Sequence, residues 1–331
     1  MFAVGRHIAK LAGFAPELPT PFTADDQVEY ETFEWLCDLQ IMHGTTALVV
    51  GATTGEAWTL SLAEHAELIR IAAGVARGRL PVIAGAGSNA TADAVALSKL
   101  AETSGADAIL SVSPYYNKPT QDGLCAHYRE IAAATGLPVI LHDVPSRTVR
   151  GLADESVARL SEAPQVIGLM DSTGDASRPT RLRALVGPDF RLLSGDDASA
   201  LGFLAQGGDG CISVAANIAP GLCRTMYLAW RQGHVMRARR LMIPLTQLAV
   251  ALAREANPAP LKYALSLCGL MSPQVRLPLA DVREEARHEI LQTLQTLWSK
   301  YSDFMIERAL VPAHVNCSPA AKLGMLRRWR G

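Results

Sequence analysis

Short apolar, β-branched runs recur along the 331-residue chain, separated by longer stretches in which apolar residues return every three or four positions. The strand-like runs are TALVV (46–50), PVIAGAG (81–87), ADAILSVS (106–113), PVILHDV (138–144), VIGLMDS (166–172), FRLLSGDD (190–197) and GDGCISVAAN (208–217). ELPTPF (17–22) is a weaker first member of the series. Helical periodicity fills the intervals, as in SLAEHAELIRIAAGVARG (61–78) and TADAVALSKLAETSG (91–105). Near-continuous apolar strands suit a parallel sheet covered on both faces, and their alternation with helices suits right-handed crossovers. Eight such units fit residues 15–235, and no G-x-G-x-x-G opens the first. The pattern predicts an α/β fold, a closed (β/α)8 TIM barrel rather than an open doubly wound sheet.

After residue 235 the strand pattern stops. MRARRLMIPLTQLAVALARE (236–255) and the segments near 260–270 and 285–305 read as packed helices. The expected organisation is an N-terminal extension (1–14), the barrel (15–235), a small helical C-terminal domain (236–305) and a basic tail (306–331).

Composition narrows the possible partners. With 49% hydrophobic residues and a net charge of −1, the chain can bury one large core and has no electrostatic reason to bind nucleic acid. No apolar run approaches the roughly 20 residues of a membrane helix. The start, MFAVGRHIAKLAGF, lacks the continuous apolar core of a signal peptide. The six cysteines are scattered, with no C-x-x-C pair and no histidine at ligand spacing. Reduced cysteines, no metal, no organic cofactor and a cytoplasmic location are therefore expected.

In barrels of this kind the C-terminal strand ends carry the chemistry. Here those ends are GATTGE (51–56), AGSNAT (86–91), SPYYNKP (113–119), HDVPSRT (142–148), MDSTGD (170–175), SGDD (194–197) and ISVAAN (212–217). Each has a plain structural reading: GATTGE as a turn, the tyrosines of PYYNKP as packing groups, His142 as a core residue, Asp196 and Asp197 as helix caps. Arg147, on a short proline-started loop, is better suited to grip a carboxylate bidentately.

Taken together, these motifs resemble the dihydrodipicolinate synthase and N-acetylneuraminate lyase family, and within it the synthase branch. The likeness is carried by TPF (20–22), G-x-TTGE (51–56), PVIAGAGSNAT (81–91), SPYYNKP, ILHDVPSRT, LLSGDDASAL (192–201) and ISVAAN, and runs from about residue 16 to 290. The resemblance implies a homotetramer built as a dimer of dimers, and a lysine-biosynthesis reaction. In that reaction a strand-six lysine forms a Schiff base with pyruvate, whose enamine attacks aspartate semialdehyde. It also implies roles for residues. Thr53 and Thr54 would hold the keto acid carboxylate. Tyr116 would complete a proton relay with Thr53, reaching in from a neighbouring subunit. Arg147 would hold the second substrate's carboxylate, and the backbone carbonyl of Ile212 would face the keto acid.

Two positions depart from the family pattern. His142 stands where the family has the relay tyrosine, and Met170 stands where it has the Schiff-base lysine. Methionine keeps the length of lysine without its amine. Of the six lysines (Lys10, Lys99, Lys118, Lys262, Lys300, Lys322), only Lys118 is expected near the rim, facing solvent or an interface. Ordinary synthase activity should accordingly be very low. His142, with Tyr116 and Thr53, remains for proton transfer, and a metal held by His142 with Asp143 or Asp171 is a minor alternative. The family's lysine-effector segments keep His65, Asn89 and Tyr115, but Trp58 and Leu62 stand where a smaller residue and a second histidine are common, and Trp58 would fill space an effector needs, so lysine inhibition is not expected. Two functions remain: a lyase or aldolase that binds a small keto acid or related carboxylate, and a non-catalytic ligand-binding or regulatory paralogue.

Overall fold

The computed structural model describes residues 11–306. Eight parallel strands, β1 (Gly13–Pro16), β2 (Leu48–Val50), β3 (Val82–Gly85), β4 (Ala108–Val112), β5 (Val139–Asp143), β6 (Val166–Asp171), β7 (Arg191–Ser194) and β8 (Gly210–Ser213), pair in the order β1-β8-β7-β6-β5-β4-β3-β2. The seam between β1 and β2 is closed by the Leu18 N–H, which donates to the Val49 carbonyl at 2.9 Å, and by a bridge between Glu17 and Val49. The expected TIM barrel is therefore present.

Its first strand is not ELPTPF but the segment just before it. Pro19 and Pro21 have no N–H to donate, so residues 17–22 form no strand and supply the seam contacts and a Phe22–Val28 bridge, while GFAP pairs in register with β8. Gly13 and Phe14, expected in the N-terminal extension, thus belong to the barrel. Residues 1–10 of that extension, and the basic tail from residue 307, lie outside the described residues.

Strand alternation sorts side chains to two sides of the barrel. Ala15, Val49, Ile83, Ala108, Leu110, Ile140, Met170, Leu193 and Ile212 form the interior cluster. Their neighbours Leu48, Val50, Val82, Ile109, Val139, Leu141, Leu169 and Leu192 face the surrounding helices. The C-terminal helices Val235–Leu252, Ala259–Leu267 and Glu284–Tyr301 are all present. They share one core with the barrel's last helix, Pro220–Arg231, through residues such as Leu222, Met226, Leu245, Leu248, Leu265 and Ile290. No described helix is long and apolar enough to cross a membrane.

Sequence chemistry starts the helices nearest the site. Ser61 and Glu64 form a reciprocal capping box at Leu62–Ala76, and Thr120 accepts from the Gly123 N–H at the head of Gln121–Ala134. Asp196 likewise accepts from the Ala198 and Ser199 amides. Asp197 does not cap that helix. It reaches across to the next strand end and accepts from the Val214 and Ala215 amides, each at 2.9 Å.

Asp143 and Asp171, one residue past the inward-facing His142 and Met170, point outward. Both meet Arg178, whose guanidinium lies 2.7 Å from Asp143 and 3.3 Å from Asp171, and also holds Asp154 at 2.9 Å. The metal alternative through His142 with Asp143 or Asp171 is thereby excluded, because the aspartates are on the opposite side of the sheet and already paired. All three groups at the centre of this cluster are buried. Removing the cation alone leaves the buried Asp143 and Asp171 carboxylates without a countercharge in a low-dielectric site. Arg178→Met is expected to destabilise the fold by about 3–5 kcal/mol in denaturant unfolding; an unchanged midpoint would contradict this assignment.

Candidate active site

The loop after β2, GATTGE, is organised by groups from opposite ends of the chain. Glu17, just past β1, accepts the Thr54 N–H at 2.9 Å. Asn257 donates its side-chain N–H to the Thr54 hydroxyl oxygen at 2.9 Å, and the Asn257 carbonyl accepts from Arg147 at 3.3 Å. The segment between the C-terminal helices thus crosses the barrel mouth and ties the Thr54 loop to the Arg147 loop. Arg147 itself rides on the one-turn helix Pro145–Thr148, whose proline occupies a first-turn position where no N–H is needed.

At the base of the same loop Glu56 pairs with Lys262 at 2.5 Å. The ammonium also donates to the Gln274 carbonyl at 2.9 Å and sits 4.0 Å above the Phe22 ring. Burial pulls the Lys262 pKa down to about 8, with Glu56 acting in the opposite direction. Among the described lysines this is the one that is buried; Lys99, Lys118 and Lys300 are exposed. Its placement in the helical domain was legible in the sequence, but its approach to the rim was not.

His142 and Met170 are register neighbours on β5 and β6, both turned into the barrel. Met170 is 2% exposed and belongs to the interior apolar cluster with Leu110, Ile140, Leu193 and Ile212. Gly195 makes room for it: a Cβ there would stand 2.8 Å from the Met170 methyl carbon. His142 Nε2 lies 3.2 Å from the Ser172 hydroxyl. Burial, and secondarily the positive charge of Arg147, hold the His142 pKa down at about 4, so the imidazole is neutral at pH 7.

A cavity of about 360 Å³ opens beside His142; Met170 and Ser172 lie outside its wall. Its wall includes Thr53, His142 and Arg147, and also Trp58, His65 and Tyr115. The expected substrate and effector regions therefore meet in one space. Trp58 is 45% exposed, and with Leu60, Leu62 and Leu97 makes that side of the wall apolar. The other expected residues lie elsewhere. Thr54 and Ile212 are buried outside the wall, and the Asn89 carbonyl accepts from the Asn117 side chain. Tyr116 is 88% exposed with φ at 73°, so within a single chain it forms no relay with Thr53.

Two participants escaped the sequence reading: Glu17 and Asn257. Glu17 carried a usable signal, a lone acid in an otherwise apolar stretch at a barrel strand end. Asn257 carried none, since its partners are 203 and 110 residues away.

Comparison with known proteins agrees with this architecture. The sequence model of the Dihydrodipicolinate synthetase family matches residues 10–297. The 4-hydroxy-tetrahydrodipicolinate synthase of Hyphomonas neptunium is 49% identical over 289 residues, covering 86% of this chain and 98% of the relative. Among solved structures, the 4-hydroxy-tetrahydrodipicolinate synthase of Methylacidiphilum fumariolicum SolV superposes with a TM-score of 0.87 at 37% identity, covering 89% of this chain and 98% of that one. The chloride-inhibited dihydrodipicolinate synthase of Acinetobacter baumannii, solved with pyruvate, gives 0.84 at 40% identity, with 86% and 98% covered. Barrel, loop motifs and relatives agree, and the chain belongs to the dihydrodipicolinate synthetase family.

Proposed function

We propose that this protein is a family member that binds a small molecule non-covalently and has lost Schiff-base chemistry with pyruvate. One observation carries the reading: the inward-facing position on β6 is a buried methionine within an apolar cluster. A thioether cannot add to a ketone and lose water, as an amine does. Lys262, the buried amine nearest the rim loops, is held by Glu56 and the Gln274 carbonyl and takes no part in the cavity wall. Each tenfold loss of rate corresponds to about 1.4 kcal/mol of barrier, so losing a covalent intermediate leaves synthase turnover very low. The reading includes a cytoplasmic homotetramer in which Tyr116 of one copy meets Thr53 of the next.

A second reading, favoured by His142 in the cavity wall with the Ser172 hydroxyl 3.2 Å from its Nε2, is proton-transfer catalysis without an imine. A neutral imidazole at pH 7 can accept a proton from a bound ligand.

Treatment with pyruvate and borohydride, followed by intact-mass spectrometry, should leave the chain unmodified. A reduced pyruvyl adduct on Lys262, Lys118 or any other lysine would overturn the proposal. The state of His142 has its own test. Its folded pKa of about 4 lies below the ordinary 6.5, so the unfolded chain binds the proton more readily between those values. Stability contributed by the neutral ring is present above pH 6.5 and is lost as pH falls towards 4. His65 and His127, also lowered by burial, act in the same direction. Thermal unfolding across this window should show His142→Gln losing roughly 3 kcal/mol less than the wild type. Equal losses would place the His142 titration near its ordinary value.

A further inference from the structure

The rim loop has the makings of an anion receptor: a backbone N–H, the adjacent Thr54 hydroxyl, and the guanidinium of Arg147 across the mouth. That receptor is already occupied by the protein itself. Glu17 is 3% exposed, extends from the β1–β2 seam with Ala15 on the inward side, and places Oε1 2.9 Å from the Thr54 nitrogen. Its acidity reflects the same surroundings. Burial pushes the pKa up, while the Thr54 amide and hydroxyl and the charge of Arg147 pull it down. The remaining acceptor capacity of the Thr54 hydroxyl is used by Asn257, whose carbonyl also receives Arg147. The cavity wall includes Thr53 and Arg147 but not Thr54, because the Glu17 carboxyl and the Asn257 amide enclose that residue.

We propose that Glu17 is a specificity residue, a built-in carboxyl group that takes the place a small carboxylate ligand would occupy on Thr54 and closes this pocket to keto acids. The inference rests on the non-covalent binding function proposed above, and names what that pocket refuses. A free carboxylate would need the Thr54 amide that Glu17 holds. Seated beside Glu17, it would instead bring two carboxyl groups into one water-poor site, which is unfavourable unless one takes a proton. The ligand this pocket accepts therefore does not present a carboxylate to the Thr54 loop. Its space is the part of the cavity between His142 and the apolar side formed by Trp58, Leu60 and Leu62.

The test is calorimetric titration of the full chain with pyruvate. Glu17→Ala should bind saturably, and wild type should show no saturable binding at pyruvate concentrations up to about tenfold above those that saturate the variant. Thr54→Val in the Glu17→Ala background should weaken that new binding, because its hydroxyl is lost. Wild-type affinity within twofold of Glu17→Ala would overturn the proposal. So would a folded Glu17→Ala that binds no pyruvate. Should Glu17→Ala fail to fold, Glu17→Gln replaces it, removing the charge while keeping the shape and an acceptor for the Thr54 amide. In that case saturable pyruvate binding by the wild type still overturns the idea. The outcome is separable from that of imine trapping. Pyruvate binding without a borohydride adduct defeats the role of Glu17 alone, whereas an adduct defeats the non-covalent reading.

Discussion

Closure of eight strands into a barrel is the constraint on which every functional statement depends. Once the Leu18 amide and the Glu17–Val49 bridge join β1 to β2, each strand has one face in a confined interior and one under the helices. A side chain's chemistry is then set by its parity along the strand. Met170 and His142 share the interior, while Asp171 and Asp143, one residue on, are committed to Arg178 outside. Adjacent residues with similar sequence prospects are assigned opposite roles by this alternation alone.

The interior is also where polar groups are most costly to leave without partners. Lysine at the Met170 position would bring an ammonium among Leu110, Ile140, Leu193 and Ile212; methionine fills comparable space without a charge. Glu17 is a contrasting case, a carboxyl group inside the barrel, tolerated because the Thr54 amide donates to it and Arg147 lies within electrostatic range. The interior position on β6 thus holds a neutral thioether, and an acid lies on the Thr54 amide near the rim.

The C-terminal helices act on the site as well as on stability. Asn257 bridges Thr54 and Arg147, and Lys262 anchors Glu56 at the foot of the same loop. The helical domain therefore ties together the rim loops that surround the cavity, and its core is continuous with the barrel's last helix through Leu222, Leu245 and Leu265.

Periodicity alone determined the barrel, its seven later strands, the helical domain and the strand ends where polar groups collect, because apolar spacing directly reflects which faces are buried. The motifs at those ends placed Thr53, Tyr115, His142 and Arg147 at the rim, and the structure adds Trp58 and His65 to the same cavity. The first strand was misjudged because pairing with β8, a partner about 200 residues away, outweighs local propensity in the proline-containing ELPTPF segment. Tertiary structure alone decided that Asp143 and Asp171 face Arg178, that Asp197 braces the following strand, and that Glu17 lies on the Thr54 amide. In each case the deciding partner is remote in sequence, and a hydrogen bond or ion pair of that kind leaves no periodic trace along the chain.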